Sequence, residues 1–224
     1  WLESSNTHLS DNNFIAYAHG GATGDIDNDG DMDVVLTDWG TFWCLMNDGS
    51  GFLTKRKCGG SNAFAIELAD IDNDGDLDAI FGGNEYGGDA FPTGIYWNDG
   101  RGNFITYNST PLKQHKAWGG IAEVSAWDLD NDGDMDIVYG RERESLKGAA
   151  IQIIENLGNK KFKDHGIFPV SNRNDFIMSI LFNDLDSDGD YDLYLASKDF
   201  WTDGAVFINN GNFDFTMITP DDRP

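Results

Sequence analysis

Apolar residues along this chain come in short runs separated by glycine, asparagine and aspartate, and no stretch keeps the period of an amphipathic helix. Four runs stand out as central strands: Val34–Leu36, Ala79–Phe81, Ile137–Tyr139 and Leu193–Leu195. Each follows an acidic stretch, and a further strand is predicted upstream of it, at Phe14–Tyr17, Ala63–Glu67, Ile121–Val124 and Phe176–Leu181. Downstream of each comes a turn between apolar residues: Asn47-Asp48-Gly49, Asn98-Asp99-Gly100, Asn156-Leu157-Gly158 and Asn209-Asn210-Gly211. Asparagine and glycine tolerate the positive φ of a tight hairpin, so these turns predict two more strands per unit, with Phe52, Phe104, Phe162 and Phe213 shortly after.

The acidic stretches are a fourfold repeat. They are Asp25-Ile-Asp-Asn-Asp-Gly-Asp-Met-Asp33, Asp70-Ile-Asp-Asn-Asp-Gly-Asp-Leu-Asp78, Asp128-Leu-Asp-Asn-Asp-Gly-Asp-Met-Asp136 and Asp184-Leu-Asp-Ser-Asp-Gly-Asp-Tyr-Asp192. Their starts lie 45, 58 and 56 residues apart, the length of one four-stranded antiparallel unit. The pattern predicts an all-β chain, a β-propeller built of four-stranded blades with four blades visible. The expected blades are 11–58, 59–110, 111–168 and 169–219 of one domain over 1–224, with residues 1–10 as an extra outer strand. The chain starts at Trp1 without an apolar leader, as expected of a processed or excerpted chain.

Composition sharpens the chemistry. The formal charge is −24, and 20 of the 39 acidic residues sit in the four loops, so the charge marks local sites rather than a general coat. Nucleic-acid phosphates and anionic membranes are repelled, and no apolar run reaches the roughly 20 residues of a membrane-spanning helix. Crowded carboxylates repel one another unless a cation neutralises them. Acids at loop positions 1, 3 and 5, glycine at 6 and another acid downstream let the backbone curl round a hard ion with oxygen donors alone, and the loops contain no Cys or His. Calcium, about four ions in all, is the expected cofactor. An EF-hand is excluded, because its position 12 takes Glu and these loops have Leu36, Phe81, Tyr139 and Leu195 there.

The acidic loop together with the later Asn-x-Gly turn and its aromatic residue, present in all four copies, resembles the FG-GAP or VCBS-type repeat family, the blades of integrin-α-like propellers. The likeness spans most of residues 11–219. It implies that side chains at positions 1, 3, 5 and 9 and the position 7 carbonyl hold calcium. Carried over, these are Asp25, Asp27, Asp29, Asp31 and Asp33; Asp70, Asp72, Asp74, Asp76 and Asp78; Asp128, Asp130, Asp132, Asp134 and Asp136; and Asp184, Asp186, Asp188, Asp190 and Asp192. Propellers of that kind usually have seven blades, so four predict closure alone, a part of a larger ring, or self-association.

The resemblance also implies that variable loops crowd the rim opposite the metal loops, where a partner binds. Trp39, Tyr86, His115, Trp118, Arg141, Arg143 and Trp201 are the candidate ligand-binding residues there, aromatic rings for sugar faces and cations for a carboxylated or sulfated glycan. Arg141-Glu-Arg-Glu144 can equally pair within itself. Cys44 and Cys58 flank a turn symmetrically, and a cross-strand disulfide between them fits an oxidising compartment. The expected function is a secreted or cell-surface binding or adhesion module for glycan or extracellular protein. No Gly-x-Ser-x-Gly, His-Glu-x-x-His or phosphate loop is present. The alternatives are a polysaccharide lyase using His115 with Tyr86 or Arg141, and a structural propeller in a larger assembly.

Overall fold

The computed structural model describes residues 18–38, 40–60, 63–86, 93–143, 147–171, 176–197 and 204–218. Sixteen strands and one 3-10 turn, at Lys116–Trp118, make up their regular structure. The strands form four sheets, each an antiparallel run of four consecutive strands. The first sheet holds β1 (Gly20–Gly24), β2 (Asp33–Asp38), β3 (Thr41–Asn47) and β4 (Leu53–Gly59). The second holds β5 (Ala63–Ala69), β6 (Asp78–Gly83), β7 (Gly94–Trp97) and β8 (Ile105–Pro111). The third holds β9 (Gly120–Trp127), β10 (Asp136–Glu142), β11 (Ala149–Asn156) and β12 (Phe162–Ser171). The fourth holds β13 (Ile177–Asn183), β14 (Asp192–Ser197), β15 (Ala205–Asn209) and β16 (Phe215–Ile218). Two compact units result, the first two sheets in one and the last two in the other, with Glu85 and Tyr86 belonging to the second unit.

Within each unit the sheets stack face to face. Val35 and Cys44 of the first sheet meet Ala79, Phe81 and Tyr96 of the second in one apolar core. Val138, Ile151 and Ile153 of the third meet Ile180, Leu193, Leu195 and Phe207 of the fourth in another. The short apolar runs read from the sequence are the second strands of the sheets: β6 and β10 are buried along nearly their whole length, whereas β2 and β14 alternate buried with partly exposed positions.

The first strand departs from expectation. Phe14–Tyr17 lies outside the described residues, and β1 is the glycine-rich Gly20–Gly24. A Cβ at Gly20 would stand 2.9 Å from the carbonyl oxygen of Phe64, so close approach of the neighbouring sheet demands glycine where a sequence pattern looks for apolar residues.

Cys44 and Cys58 are disulfide-bonded, with 5.9 Å between their Cα atoms. They do not face each other directly: the register set from Asn47 opposite Leu53 pairs Cys44 with Arg56, which leaves Cys58 two residues further along and diagonally across.

The meander fixes which loops share an end. The acidic loop joins the first and second strands of every sheet, and the Asn-x-Gly turn joins the third and fourth at the same end. Connections from second to third strands leave from the opposite end.

Candidate metal loops and the opposite rim

The closing aspartate of each loop is the first residue of a second strand and is buried: Asp33 is 0% exposed, Asp78 1%, Asp136 0% and Asp192 0%. One of its oxygens accepts a hydrogen bond from the loop's second residue, with Ile26 N at 3.1 Å, Ile71 N at 3.4 Å, Leu129 N at 2.9 Å and Leu185 N at 2.7 Å. The other accepts from the asparagine of the Asn-x-Gly turn, with Asn47 N at 2.7 Å and Asn98, Asn156 and Asn209 N each at 2.8 Å. That asparagine then donates its side-chain amide to the carbonyl of loop position 8, at Met32, Leu77, Met135 and Tyr191. Asn98 and Asn209 reach further, to the carbonyls of Ile26 and Leu129 in the preceding repeat. The turn asparagines therefore clasp the acidic loops as well as turning the chain, a role the hairpin reading had not foreseen.

Position 1 folds the loop on itself. Asp25, Asp70, Asp128 and Asp184 each accept from the backbone N–H of positions 5 and 6. The bend needs left-handed backbone at position 4, where Asn28, Asn73, Asn131 and Ser187 have φ of 59°, 59°, 60° and 66°, and at the glycine of position 6.

This folding brings carboxylates together. Oxygens of Asp25, Asp27 and Asp29 lie within 4.8 Å of one another, as do those of Asp70, Asp72 and Asp74, of Asp128, Asp130 and Asp136, and of Asp184, Asp186 and Asp192. Two oxygens on one calcium stand no more than about 5 Å apart, twice the metal–oxygen bond, so the spacing fits a shared hard cation. The buried Oδ1 of Asp27 has no hydrogen-bond donor. Burial, then the charges of Asp29, Asp33 and Asp25, hold the Asp27 carboxyl above its usual range. Without a counter-charge, burial pushes Asp78 and Asp136 up to about 7. An all-oxygen set of strained carboxylates fits calcium chemistry and not that of zinc.

The position 7 side chains turn away from these clusters. Asp76 accepts from the Asn28 amide at 2.6 Å and Asp190 from that of Asn131 at 3.3 Å, so within each unit one loop is tied to the next. Asp134 and Asp190 also abut Gly158 and Gly211, where a Cβ would sit 3.0 and 3.2 Å from the carboxylate oxygen. Each turn glycine thus serves close approach as well as positive φ.

At the other end of the third sheet the rim candidates meet, but with different roles. Arg141, expected on the binding surface, is 0% exposed. Its Nη1 and Nη2 donate to Oε2 and Oε1 of Glu85, both at 3.1 Å, while Nε donates to Gln152 Oε1 at 2.7 Å and Nη1 to the Trp118 carbonyl at 2.8 Å. For Arg141 this replaces the pairing within Arg141–Glu144 foreseen as an alternative, of which Glu144 lies outside the described residues, because a buried guanidinium needs a fixed counter-charge and partners for its donors. Glu85 also accepts from His115 N at 2.8 Å. Trp118 is buried, and the Tyr86 hydroxyl donates to the Glu142 carbonyl at 2.6 Å. Trp39 and Trp201 lie outside the described residues.

His115 Nε2 lies 3.0 Å from Asp164 Oδ2, which also pairs with Lys113 Nζ at 2.8 Å, and Gln152 links this group to Arg141 by donating to Asp164 Oδ1 at 3.0 Å. Of the rim candidates described, Arg143 is the exposed one, its guanidinium 4.2 Å from the centre of the Trp118 ring. Neither Glu85 nor Asp164 stands out in the sequence, because both are single acids outside the repeat.

Two outcomes test this rim. Glu85→Gln leaves the Arg141 charge buried and loses about 3–5 kcal/mol in urea unfolding, whereas Glu85→Leu combined with Arg141→Met recovers most of the loss. Burial raises the Asp164 carboxyl, but hydrogen bonds from Lys113, Gln152, Gly166 and His115 overcome it and hold the pKa at about 2. A carboxyl lowered in the folded state contributes stability above its ordinary value, 3.8, and loses that contribution as pH falls toward 2. Melting curves should therefore show wild type above Asp164→Asn at pH 6, with the gap closing between about pH 4 and 2.

The profile of the FG-GAP-like repeat matches residues 25–81 and 128–195, more than half of the chain. No curated protein matches it by sequence. Among solved structures, an Agrocybe aegerita lectin described as recognising non-reducing terminal N-acetylglucosamine is similar at 18% identity and a TM-score of 0.55, over 88% of this chain and 50% of the lectin. The V. cholerae biofilm matrix protein Bap1 is similar at 19% identity and a TM-score of 0.46, over 84% of this chain and 26% of that one. This chain thus spans half the length of the first and about a quarter of the second. The matched segments run in both units from an acidic loop through its central strand to the next, and on that match the chain belongs to the FG-GAP-like repeat family.

Proposed function

We infer that this chain is a secreted or cell-surface binding module, four blades of a calcium-held β-propeller, which recognises a glycan or an extracellular protein through the rim opposite the acidic loops. The observation that carries the metal reading is the fourfold convergence of carboxylate oxygens within 4.8 Å, with the Asp27 Oδ1 buried and undonated. Asp25, Asp27 and Asp29, and their counterparts with the closing aspartates, would hold the ion, which supplies positive charge that ties the loop to the first two strands. Side chains at Asp31, Asp76, Asp134 and Asp190 face the turns, so position 7 would contribute through its backbone.

The Cys44–Cys58 disulfide supports an oxidising compartment, where free calcium is also high enough for modest sites. No helix among the described residues is long and apolar enough to cross a membrane. On the rim, exposed Arg143 over Trp118, with exposed Lys116 and Lys147 beside them in sequence, makes a cationic, aromatic corner in a chain of charge −24. Such a corner suits a carboxylated or sulfated glycan. The lectin's named sugar belongs to the lectin, and what its likeness supports here is the sheet architecture. Binding is favoured over lyase chemistry because Arg141 is buried on Glu85 and the Tyr86 hydroxyl is engaged with a backbone carbonyl, so neither faces a substrate beside His115.

Calcium at a hundredfold excess over its dissociation constant should add about 2.7 kcal/mol per site, raising the melting temperature, and chelator should remove the gain. Asp27→Asn should lower the titrated stoichiometry by one ion; an unchanged melting temperature with and without chelator refutes the metal reading. On an array of acidic glycans, Arg143→Ala should lose at least tenfold in affinity while keeping the calcium response. Release of unsaturated uronate, seen as new ultraviolet absorbance, would instead establish the lyase.

A further inference from the structure

Each unit builds the same seam where its two sheets meet beside their acidic loops, and three positions of the repeat line it. They are the residue before the unit's first loop, the residue two before its second loop, and position 8 of that second loop. In the first unit these are Gly24, Leu68 and Leu77. Aliphatic side chains fill the seam there, since a Cβ at Gly24 would stand 2.5 Å from Leu77 Cδ1 and 3.3 Å from Leu68 Cδ1. In the second unit the same positions are Trp127, Phe182 and Tyr191. The Trp127 ring stacks on Phe182, with 5.3 Å between centroids and 7° between planes, and meets Tyr191 at 5.3 Å and 72°.

The fold alone does not call for these rings. Glycine and two leucines close the equivalent seam, whereas the second unit fills it with three aromatic residues and still leaves Trp127 39% exposed. Phe182 and Tyr191 are partly buried against the apolar core, so the indole rests on a fixed base without being part of that core itself. A large ring held in place by its neighbours and left open to water suits a ligand that covers it.

Charge and shape select that ligand. Trp127 leads directly into the third acidic loop and Tyr191 stands in the fourth, each loop with five aspartates, so an anionic group is repelled here. The three rings pack on one another and leave no room between them for an ammonium group, whose aromatic cages present faces on several sides. What remains is an open indole with hydrogen-bonding groups at its border: exposed Asn183 follows Phe182, and the Asp128 carboxylate follows Trp127. An apolar plate bordered by an amide and a carboxylate matches a neutral pyranose with equatorial substituents, whose C–H face stacks while its hydroxyls donate and accept.

We propose that Trp127, on its base of Phe182 and Tyr191, is a binding site for a neutral, β-linked, gluco-configured sugar chain at the acidic-loop end of the second unit. It is a second site, at the other end of the third sheet from the cationic corner at Arg143, and it takes uncharged rings where that corner is proposed for acidic ones.

Cellohexaose titrated onto the full chain in calcium, followed by calorimetry and by saturation transfer from protein to sugar protons, should bind at a single site. Trp127→Ala should weaken that binding about tenfold or more with the circular dichroism spectrum unchanged, and Trp127→Phe should retain part of it. Trp127→Gly combined with Phe182→Leu and Tyr191→Leu reproduces the seam of the first unit, so it should fold and lose the sugar. Arg143→Ala should leave cellohexaose binding unchanged, which separates this site from the opposite rim. Absence of cellohexaose binding, or binding that survives the Trp127 substitutions, overturns the proposal. Tighter binding of hexagalacturonate or choline, lost with Trp127→Ala, overturns it as well, by assigning the indole to a charged ligand.

Discussion

Everything at the acidic end of this molecule depends on a carboxylate buried at the start of each second strand. Asp33, Asp78, Asp136 and Asp192 accept one backbone N–H from the beginning of the loop and one from the asparagine at or just past the end of the third strand. Charge-assisted bonds to backbone donors are stronger than neutral ones, and an apolar residue in their place would leave two N–H groups buried and orphaned. One side chain therefore fixes the loop, the second strand and the third strand at a single point. The turn asparagine completes the fastening by donating to the position 8 carbonyl.

That fastening has an electrostatic cost, and the cost points to the cation. With the closing aspartate inside, the carboxylates of positions 1 and 3 gather against it in the third and fourth loops and against position 5 in the first and second, and burial with mutual repulsion holds Asp27 and Asp130 above their usual range. Backbone donors answer part of this charge, as positions 5 and 6 do for position 1. They cannot answer all of it, because the Asp27 Oδ1 is left without a donor. A divalent ion would supply the missing charge without adding a side chain. The ties from Asn28 to Asp76 and from Asn131 to Asp190 mean that ordering one loop would help hold the next loop in the same unit.

The repeat made this end of the fold legible. Spacing made the strand order, the location of the loops and the clustering of carboxylates readable, since each is written four times and chance does not repeat itself at that length. What the sequence hid was tertiary. The β1 strand is glycine-rich because a neighbouring backbone passes within reach of Gly20, which reverses the usual reading of glycine as a breaker. Cys44 and Cys58 were legible as partners, but the strand register that sets Cys44 opposite Arg56 and makes their bond diagonal was not. The position 7 aspartates look identical to their neighbours in sequence and differ only in the direction their side chains take.

Arg141 shows why the opposite rim resisted the same reading. Five residues beyond each closing aspartate stand Asp38, Gly83, Arg141 and Ser197, so the repeat that is strict at one end of the sheet has dissolved at the other. A residue seen once carries no periodic evidence of its role, and a basic residue in a charged stretch is most simply read as solvent-facing. Its partner Glu85 lies 56 residues away, and only the fold brings the two together in a buried pair. The same loss of repetition is what permits a specific function there. Four equal loops can share one structural task, whereas recognition of a particular ligand needs a surface that differs from its neighbours. In the third sheet the surface proposed for that role rests on Arg141: by holding Glu85, Gln152 and the Trp118 carbonyl, it fixes the floor on which Trp118 and the exposed Arg143 stand.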